Sequence, residues 1–303
     1  MKHLPAVKLL YYMRDGERIV ASSAKATLSP REFSDLFEGL NDEDVERWLR
    51  ELIIRGHGSP LEHSVYIFEI VCSRVCSHQL VRHRHASYTQ LSQRYSDKYL
   101  KGLVDLAAQK IGVPRPSSYI EIADLLERLA RSDLPPGDLL EVVSEAFIVP
   151  PTVLEKEVSS YIRSLLSSTA MYYRALAAGV PYEDARYLLP QAVKTRVIVS
   201  MNARELVEVF LPLRMCSRAH WEIRLVAWQL WKSLVEVHPE IFKYAGPRCV
   251  LFENRCRVEP CTLLDFLERR CSFTIERCPE KIPRDKINEC LKSAYFKVST
   301  SAL

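Results

Sequence analysis

The sequence predicts an α+β protein, and three observations carry that reading. Helical periodicities and β-branched runs are mixed along the 303 residues without regular β-α alternation, which argues against a doubly wound sheet. No internal repeat or low-complexity block interrupts them. A hydrophobic fraction of 48% supports one substantial core, or one domain with an appendage.

The elements follow in order. Residues 6 to 13 read as a short buried strand. Ser29-Pro30-Arg31-Glu32 has the form of a capping box with proline at the first helical position, so a helix is expected from there. A second helix is expected from about Asp42 to Ile54, ended by Arg55-Gly56. Ser59-Pro60-Leu61-Glu62 repeats the start signal between His57 and His63. It leads into VYIFEIVC (65–72), whose β-branched and aromatic residues predict a strand. SRVCSHQLVRHR (73–84) is expected as a helix on which Gln79, Arg82 and His83 share one face.

Helical segments are expected within 115–137 and over 138–148. Thr152-x-x-Glu155 opens the clearest helical period: Leu154, Val158, Ile162, Leu165, Thr169, Tyr172 and Leu176, with Gly179 ending it. A brief turn closed by Pro190 precedes VKTRVIVSMN (193–202), a strand. ARELVEVF (203–210) reads as helical up to Pro212, and 219–237 as a long amphipathic helix with three of the four tryptophans, expected in the core or a subunit interface. Beyond Gly246 the chain turns polar and cysteine-rich, with a last helix near 285–295. The expected division is a domain over 1–246 and an extension over 247–303.

Composition narrows the function. A net charge of +4 and a pI near 8.5 are too weakly basic for a chain-wide nucleic-acid footprint, so an anion site must be local. No run of roughly 18 apolar residues predicts a membrane span. The N-terminal apolar run is cut by Lys8 and stopped by Arg14 and Asp15, unlike a signal peptide, and a cytoplasmic protein is expected. Six of the nine cysteines (Cys249, Cys256, Cys261, Cys271, Cys278, Cys290) fall in the last quarter, with no histidine beyond His238 and no CxxC pair. Buried thiols are the favoured reading for the tail, then disulfides, with zinc last; no metal is expected. Cys72, Cys76 and Cys216 are expected reduced.

One stretch carries the chemistry: RHRHASYTQLSQRYS, residues 82–96. Arginine forks match phosphate, and the interleaved hydroxyls and amides can both donate and accept. With nine glycines and neither GxGxxG nor GxxxxGK[ST], any phosphate must be held by side chains.

Arg82-His83-Arg84-x-x-Ser87-x-x-x-x-Ser92-x-Arg94-Tyr95 resembles the signature of the flavin-dependent thymidylate synthases. His57-Gly58-Ser59-Pro60-Leu61-Glu62-His63, Ala185-Arg186-Tyr187-Leu188-Leu189-Pro190, Asn202-Ala203-Arg204-Glu205-Leu206, Leu213-Arg214 and Ala219-His220-Trp221-Glu222-Ile223-Arg224 resemble further family segments, in order, over roughly residues 5–245. The resemblance implies an antiparallel sheet with packed helices, a homotetramer, and active sites between subunits. It implies synthesis of dTMP from dUMP, with methylene-tetrahydrofolate as one-carbon donor and NADPH as reductant through FAD. No nucleic-acid or membrane partner is implied.

By the same resemblance, Ser59, Arg82, His83, Arg84, Gln90, Asn202, Ala203 and Arg204 bind FAD. Gln79, Leu80, Val81, Arg82, Gln90, Leu91, Ser92, Gln93, Arg94, Arg186 and Arg214 bind dUMP. Arg214 is the catalytic residue, favouring ionisation of the uracil NH, and His57 is placed to stack near flavin and folate. No cysteine lies within the signature, and Ser92 has no evident base, so no enzyme nucleophile is expected. His85 is expected at the surface.

The chain departs from the family pattern in two places. Thr89 and Gln90 stand where asparagine and glutamate are usual, and the spacing from Asn202 to Arg214 is one residue longer. The second leaves Val207 and Glu208 as alternatives for one FAD-contacting position. A catalytically weakened flavin- or nucleic-acid-binding relative is the alternative function, supported only by Thr89 and Gln90.

Overall fold

Alternation of apolar and polar residues builds the centre of the molecule. The computed structural model describes residues 2–295, apart from 157 and 258. Four strands, β1 (Ala6–Tyr12), β2 (Val65–Ser73), β3 (Ala86–Gln90) and β4 (Lys194–Asn202), form an antiparallel sheet in the order β1-β2-β4-β3. Tyr66, Phe68, Ile70 and Cys72 of β2 and Val197, Val199 and Met201 of β4 point to one buried face. Their neighbours along each strand face the more open side, as a period of two requires.

The buried face packs on α1 (Gly16–Ala26), α3 (Asp42–Arg55) and α12 (Trp221–Val237). Trp228 and Trp231 are core residues there, while Trp221 is half-buried. Residues of α14 (Arg248–Cys256), α15 (Leu263–Leu267) and α16 (Ile287–Ala294) join the same core through Val250, Leu251, Leu263, Phe266, Ile287 and Leu291. A second core holds α5 (Lys98–Ile111), α6 (Tyr119–Ala130), α7 (Pro136–Val143) and α9 (Val158–Ala177). Among the described residues, no helix is long and apolar enough to cross a membrane.

Several local expectations are corrected. Ser29 Oγ accepts from the amide of Arg31, two residues on, so Ser29-Pro30 makes a turn and the helix α2 (Phe33–Glu38) begins later. Thr152 lies inside α8 (Pro151–Lys156) and is not its cap. The segment 138–148 is not one helix. After α7 the chain straightens, and Phe147 bridges to Val193. Helices α1 and α5 and strand β3 had no anticipated counterpart. In the tail, Cys261 and Cys271 form a disulfide, with Cα atoms 6.0 Å apart, while Cys249, Cys256, Cys278 and Cys290 are free, as are Cys72, Cys76 and Cys216.

Candidate active site

Strand register gathers three distant segments at one end of the sheet. Val65 pairs with Asn202 and Ala86 with Met201. The loop before β2, the turn before β3 and the residues after β4 therefore meet. The amide of Ala203 donates to the carbonyl of Ser64 at 2.8 Å, and Asn202 Oδ1 accepts from the amide of Glu205 at 2.9 Å. Gly58 lies so close that a Cβ on it would stand 2.7 Å from both Arg204 Nε and Glu208 Oε2, and any side chain there would push these two apart. Arg204 is held between two carboxylates, Glu62 and Glu208 (3.1 Å). Ser59 and His57 are exposed on this loop.

The turn before β3 works by turning one residue inward. The helix α4 (Arg74–Leu80) ends at Leu80, not Arg84, so Gln79, Arg82 and His83 do not share a helical face. The cause is Tyr88: its hydroxyl sits 2.9 Å from the carbonyl of Leu80 and 2.8 Å from that of His83, and its proton is shared between them. His83 becomes buried while Arg82, Arg84 and His85 stay exposed. Both imidazole nitrogens are engaged: Nδ1 with Glu205 Oε1 at 2.9 Å, and Nε2 with Arg214 Nε at 2.9 Å. Arginine only donates, so Nε2 accepts, Nδ1 carries the proton, and Glu205 receives it. Arg214 also donates to the carbonyl of Gln79 at 3.3 Å, and burial pulls its pKa below the ordinary value.

The backbone after β4 makes this possible. Glu205–Phe210 is a π-helical turn, followed by α11 (Leu211–Arg214), so the helix continues past Pro212, which occupies its first turn without loss. On an α-helix, residues five apart diverge by about 140°. In a π-turn they share a face, and Glu205 and Phe210 both meet His83; the Phe210 ring centroid lies 4.8 Å from the imidazole. The extra residue between Asn202 and Arg214 is absorbed by this turn. It also separates the two alternatives: Val207 is buried, while Glu208 is half-exposed beside Arg204.

Strand β3 then carries the chain to a second cluster. Five residues at strand rise span ~17 Å. Gln90 donates to Ser77 Oγ at 3.0 Å and Thr195 Oγ1 at 3.1 Å, tying β3 to α4 and β4. Thr89 is exposed on the open face. The amide of Leu91 extends the ladder to Arg196, and Ser92 Oγ accepts from the amide of Arg94. Arg94 pairs with Glu183 Oε2 at 2.9 Å, and Arg186 Nε donates to the carbonyl of Glu183 at 3.0 Å. Burial, and after it the charge of Arg186, lowers the pKa of Arg74.

Sequence-predicted residues thus fall into two groups within one chain. Gln79 to Arg84, Ser59, Asn202 to Arg204 and Arg214 stand at one end of β3; Leu91 to Arg94 and Arg186 stand at the other. The guanidinium groups of Arg82 and Arg84 make no hydrogen bond or ion pair among the described residues. Sequence reasoning gave no role to Glu205 or Tyr88, though both stand in quoted motifs, and missed Glu183 and the arginine-bridging role of Glu208. No spacing rule announces them, because each acts on a residue brought close only by the fold. Cys72, Cys76 and Glu222 bring three donor atoms within 4.8 Å of one another, but Ser73 engages both oxygens of Glu222.

An α+β fold with arginines ranged at both ends of an edge strand defines a protein suited to anionic ligands, and the comparisons with known proteins give its class. The family model described as "Thymidylate synthase complementing protein" matches residues 8–240. A flavin-dependent thymidylate synthase of Aeropyrum pernix is 46% identical over 95% of this chain and 93% of its own length. One from Sulfolobus acidocaldarius is 40% identical over 95% and 94%. Among solved structures, the flavin-dependent thymidylate synthase ThyX from Helicobacter pylori, complexed with FAD and dUMP, matches with a TM-score of 0.56. It is 24% identical and covers 79% of this chain and 99% of that one. A UMP/dUMP methylase, PolB from Streptomyces cacaoi, bound with 5-Br dUMP, gives 0.57 at 23% identity, covering 78% of this chain and 93% of its own. These two likenesses show the fold. The chain belongs to the flavin-dependent thymidylate synthase family, and its activity is the methyl transfer that makes dTMP.

Proposed function

We propose that the chain makes dTMP from dUMP with methylene-tetrahydrofolate as one-carbon donor and NADPH as reductant, working through FAD as a cytoplasmic homotetramer. The relay Glu205–His83–Arg214 is the observation that carries this reading, because it fixes a cation at the sheet end where Arg82 and Arg84 are exposed.

The donor set fits FAD. Arg82 and Arg84 are free to take its phosphates, Ser59 and the Asn202-Ala203-Arg204 run border the same end, and Gly58 leaves room for close approach. His83 reaches a ligand only through its backbone, since both ring nitrogens are taken. Gln90 closes β3 at the other end, beside Leu91, with its amide turned into the subunit. Bound FAD, once reduced by NADPH, would supply the hydride.

Residues Gln79 to Arg82 meet dUMP from the helix end, beside Arg214. Leu91 to Arg94 and Arg186 lie a strand's length away in the same chain, so they complete the pocket of a neighbouring copy. Tyr95 and Tyr187, 81% and 85% exposed beside them, support burial by a second subunit. Arg214 cannot give up its proton, and a fixed cation lowers the pKa of a ring NH placed against it. Neither Cys76 nor Cys216 is poised as a thiolate. Hydrogen bonding to Cys72 and burial raise the pKa of Cys76, and burial raises that of Cys216.

The test is direct. Reconstituted protein should be yellow, form dTMP from dUMP, methylene-tetrahydrofolate and NADPH, and lose turnover in Arg214→Ala. Flavin oxidation measured with and without dUMP reports both ligands. Folded protein that does not bind FAD refutes the reading.

A further inference from the structure

We propose that Arg255, in the cysteine-rich segment beyond the family match, is a positioning residue for the flavin end of the site. The inference rests on the reading that Arg204 contacts FAD.

Arg255 sits on α14 and reaches back to the loop before β2. Its Nη2 donates to Glu208 Oε1 at 2.9 Å, and its Nε donates to the carbonyl of Ile53, at the end of α3, at 3.1 Å. Its guanidinium lies against Gly56, whose Cβ would stand 3.6 Å away. The loop it braces carries His57 and Ser59. The carboxylate it holds is the one whose other oxygen binds Arg204.

Charge gives the contact its consequence. Glu62, Arg204, Glu208 and Arg255 form a neutral quartet. Without Arg255, Arg204 is embraced by two carboxylates with a net negative charge between them. Such a site repels an anionic dinucleotide placed within a Debye length of about 8 Å. The arginine fork spans Ile53 and Glu208 together, which a lysine's single ammonium does not.

Affinity for FAD, measured by flavin fluorescence titration at two salt concentrations, tests the proposal. Arg255→Ala should weaken FAD about tenfold, or ~1.4 kcal/mol, less so at high salt, while kcat at saturating FAD stays near wild type. Arg255→Lys should recover part of the loss. Adding Glu208→Gln to Arg255→Ala leaves Glu62 and Arg204 as a neutral pair and should return FAD affinity toward wild type, because the unbalanced carboxylate is gone. A purely structural brace would not be rescued this way, since Glu208→Gln does not restore the bond to Ile53. The proposal is overturned if Arg255→Ala binds FAD within twofold of wild type while Arg204→Ala does not, or if Glu208→Gln gives no rescue. If Arg204→Ala also binds FAD normally, the reading of Arg204 falls and this inference falls with it.

Discussion

Arg214 Nε donates to His83 Nε2 at 2.9 Å, and that bond fixes both the proton on His83 and the direction of the guanidinium. A lysine at 214 keeps the charge but loses the fork that serves His83 and the Gln79 carbonyl together. Arg214→Lys should therefore fold normally and lose kcat by roughly a hundredfold or more. Glu205→Ala strands the buried Nδ1–H of His83, which costs about 1–3 kcal/mol of stability and loosens Arg214 with it. Thermal melts beside steady-state kinetics separate the two: a lysine variant that melts early, or an alanine variant with normal kcat, contradicts this account.

The π-turn predicts an unusual tolerance. Val209 is 37% exposed, and removing it should let the turn close into an ordinary α-helix. Glu205 and the phenylalanine would then be four apart, still on one face, still against His83. The Val209 deletion should keep its helix content, melt within a few degrees of the parent, and retain turnover within several-fold. An added alanine after Val209 should do the opposite. Circular dichroism and activity of the pair decide it; a deletion that unfolds the protein shows that the π-turn is indispensable.

These residues also show where the sequence was legible. β2 and β4 were readable because nearly every second residue is β-branched or aromatic, and α3 because an acidic first turn and Gly56 bracket an apolar period. The arginines of the site were readable from their motif. Strand β3 was not, because Ala86-Ser87-Tyr88-Thr89-Gln90 is a polar edge strand whose extended form depends on pairing with β4. Nor was the inward turn of His83, since its partners Glu205 and Arg214 lie more than a hundred residues away. The length difference between Asn202 and Arg214 was visible as a count; its accommodation as a π-turn required the backbone.

Lys194 gives a pH prediction. Its ammonium is buried and donates to the carbonyl of Ser144, with Glu145 and Lys2 nearby, and burial lowers its pKa from 10.5 to about 8. Between about pH 8 and 10.5 the unfolded chain holds more protons at this residue than the folded one, so stability attributable to it rises with pH. Below pH 8 both states are protonated and the burial penalty is constant and full. Lys194→Met should remove the rise. The difference in unfolding free energy between wild type and variant, followed by denaturant titration from pH 7 to 10.5, should shift in favour of wild type as pH increases. A flat difference means that Lys194 is not what titrates.

The tail offers the last prediction. The Cys261–Cys271 bond closes a loop across ten residues of separation and links the start of α15 to the segment containing Phe273 and Ile275, both in the core. Closing a loop of that length restricts the unfolded chain by roughly 2–3 kcal/mol in the chain-entropy view. Alkylation of unfolded, unreduced protein should label seven cysteines, and reduction beforehand should expose all nine. Cys261→Ser with Cys271→Ser should lower the melting temperature and quicken hydrogen exchange over residues 261–271 first, because that is the loop the bond closes. Asn254, beside Arg255 on α14, hydrogen-bonds the carbonyl and the amide of Cys261, so the same variant should bind FAD more weakly without any change at Arg204. Nine labels without reductant, or exchange quickened elsewhere and not there, would show that the bond is not what holds the tail against the sheet.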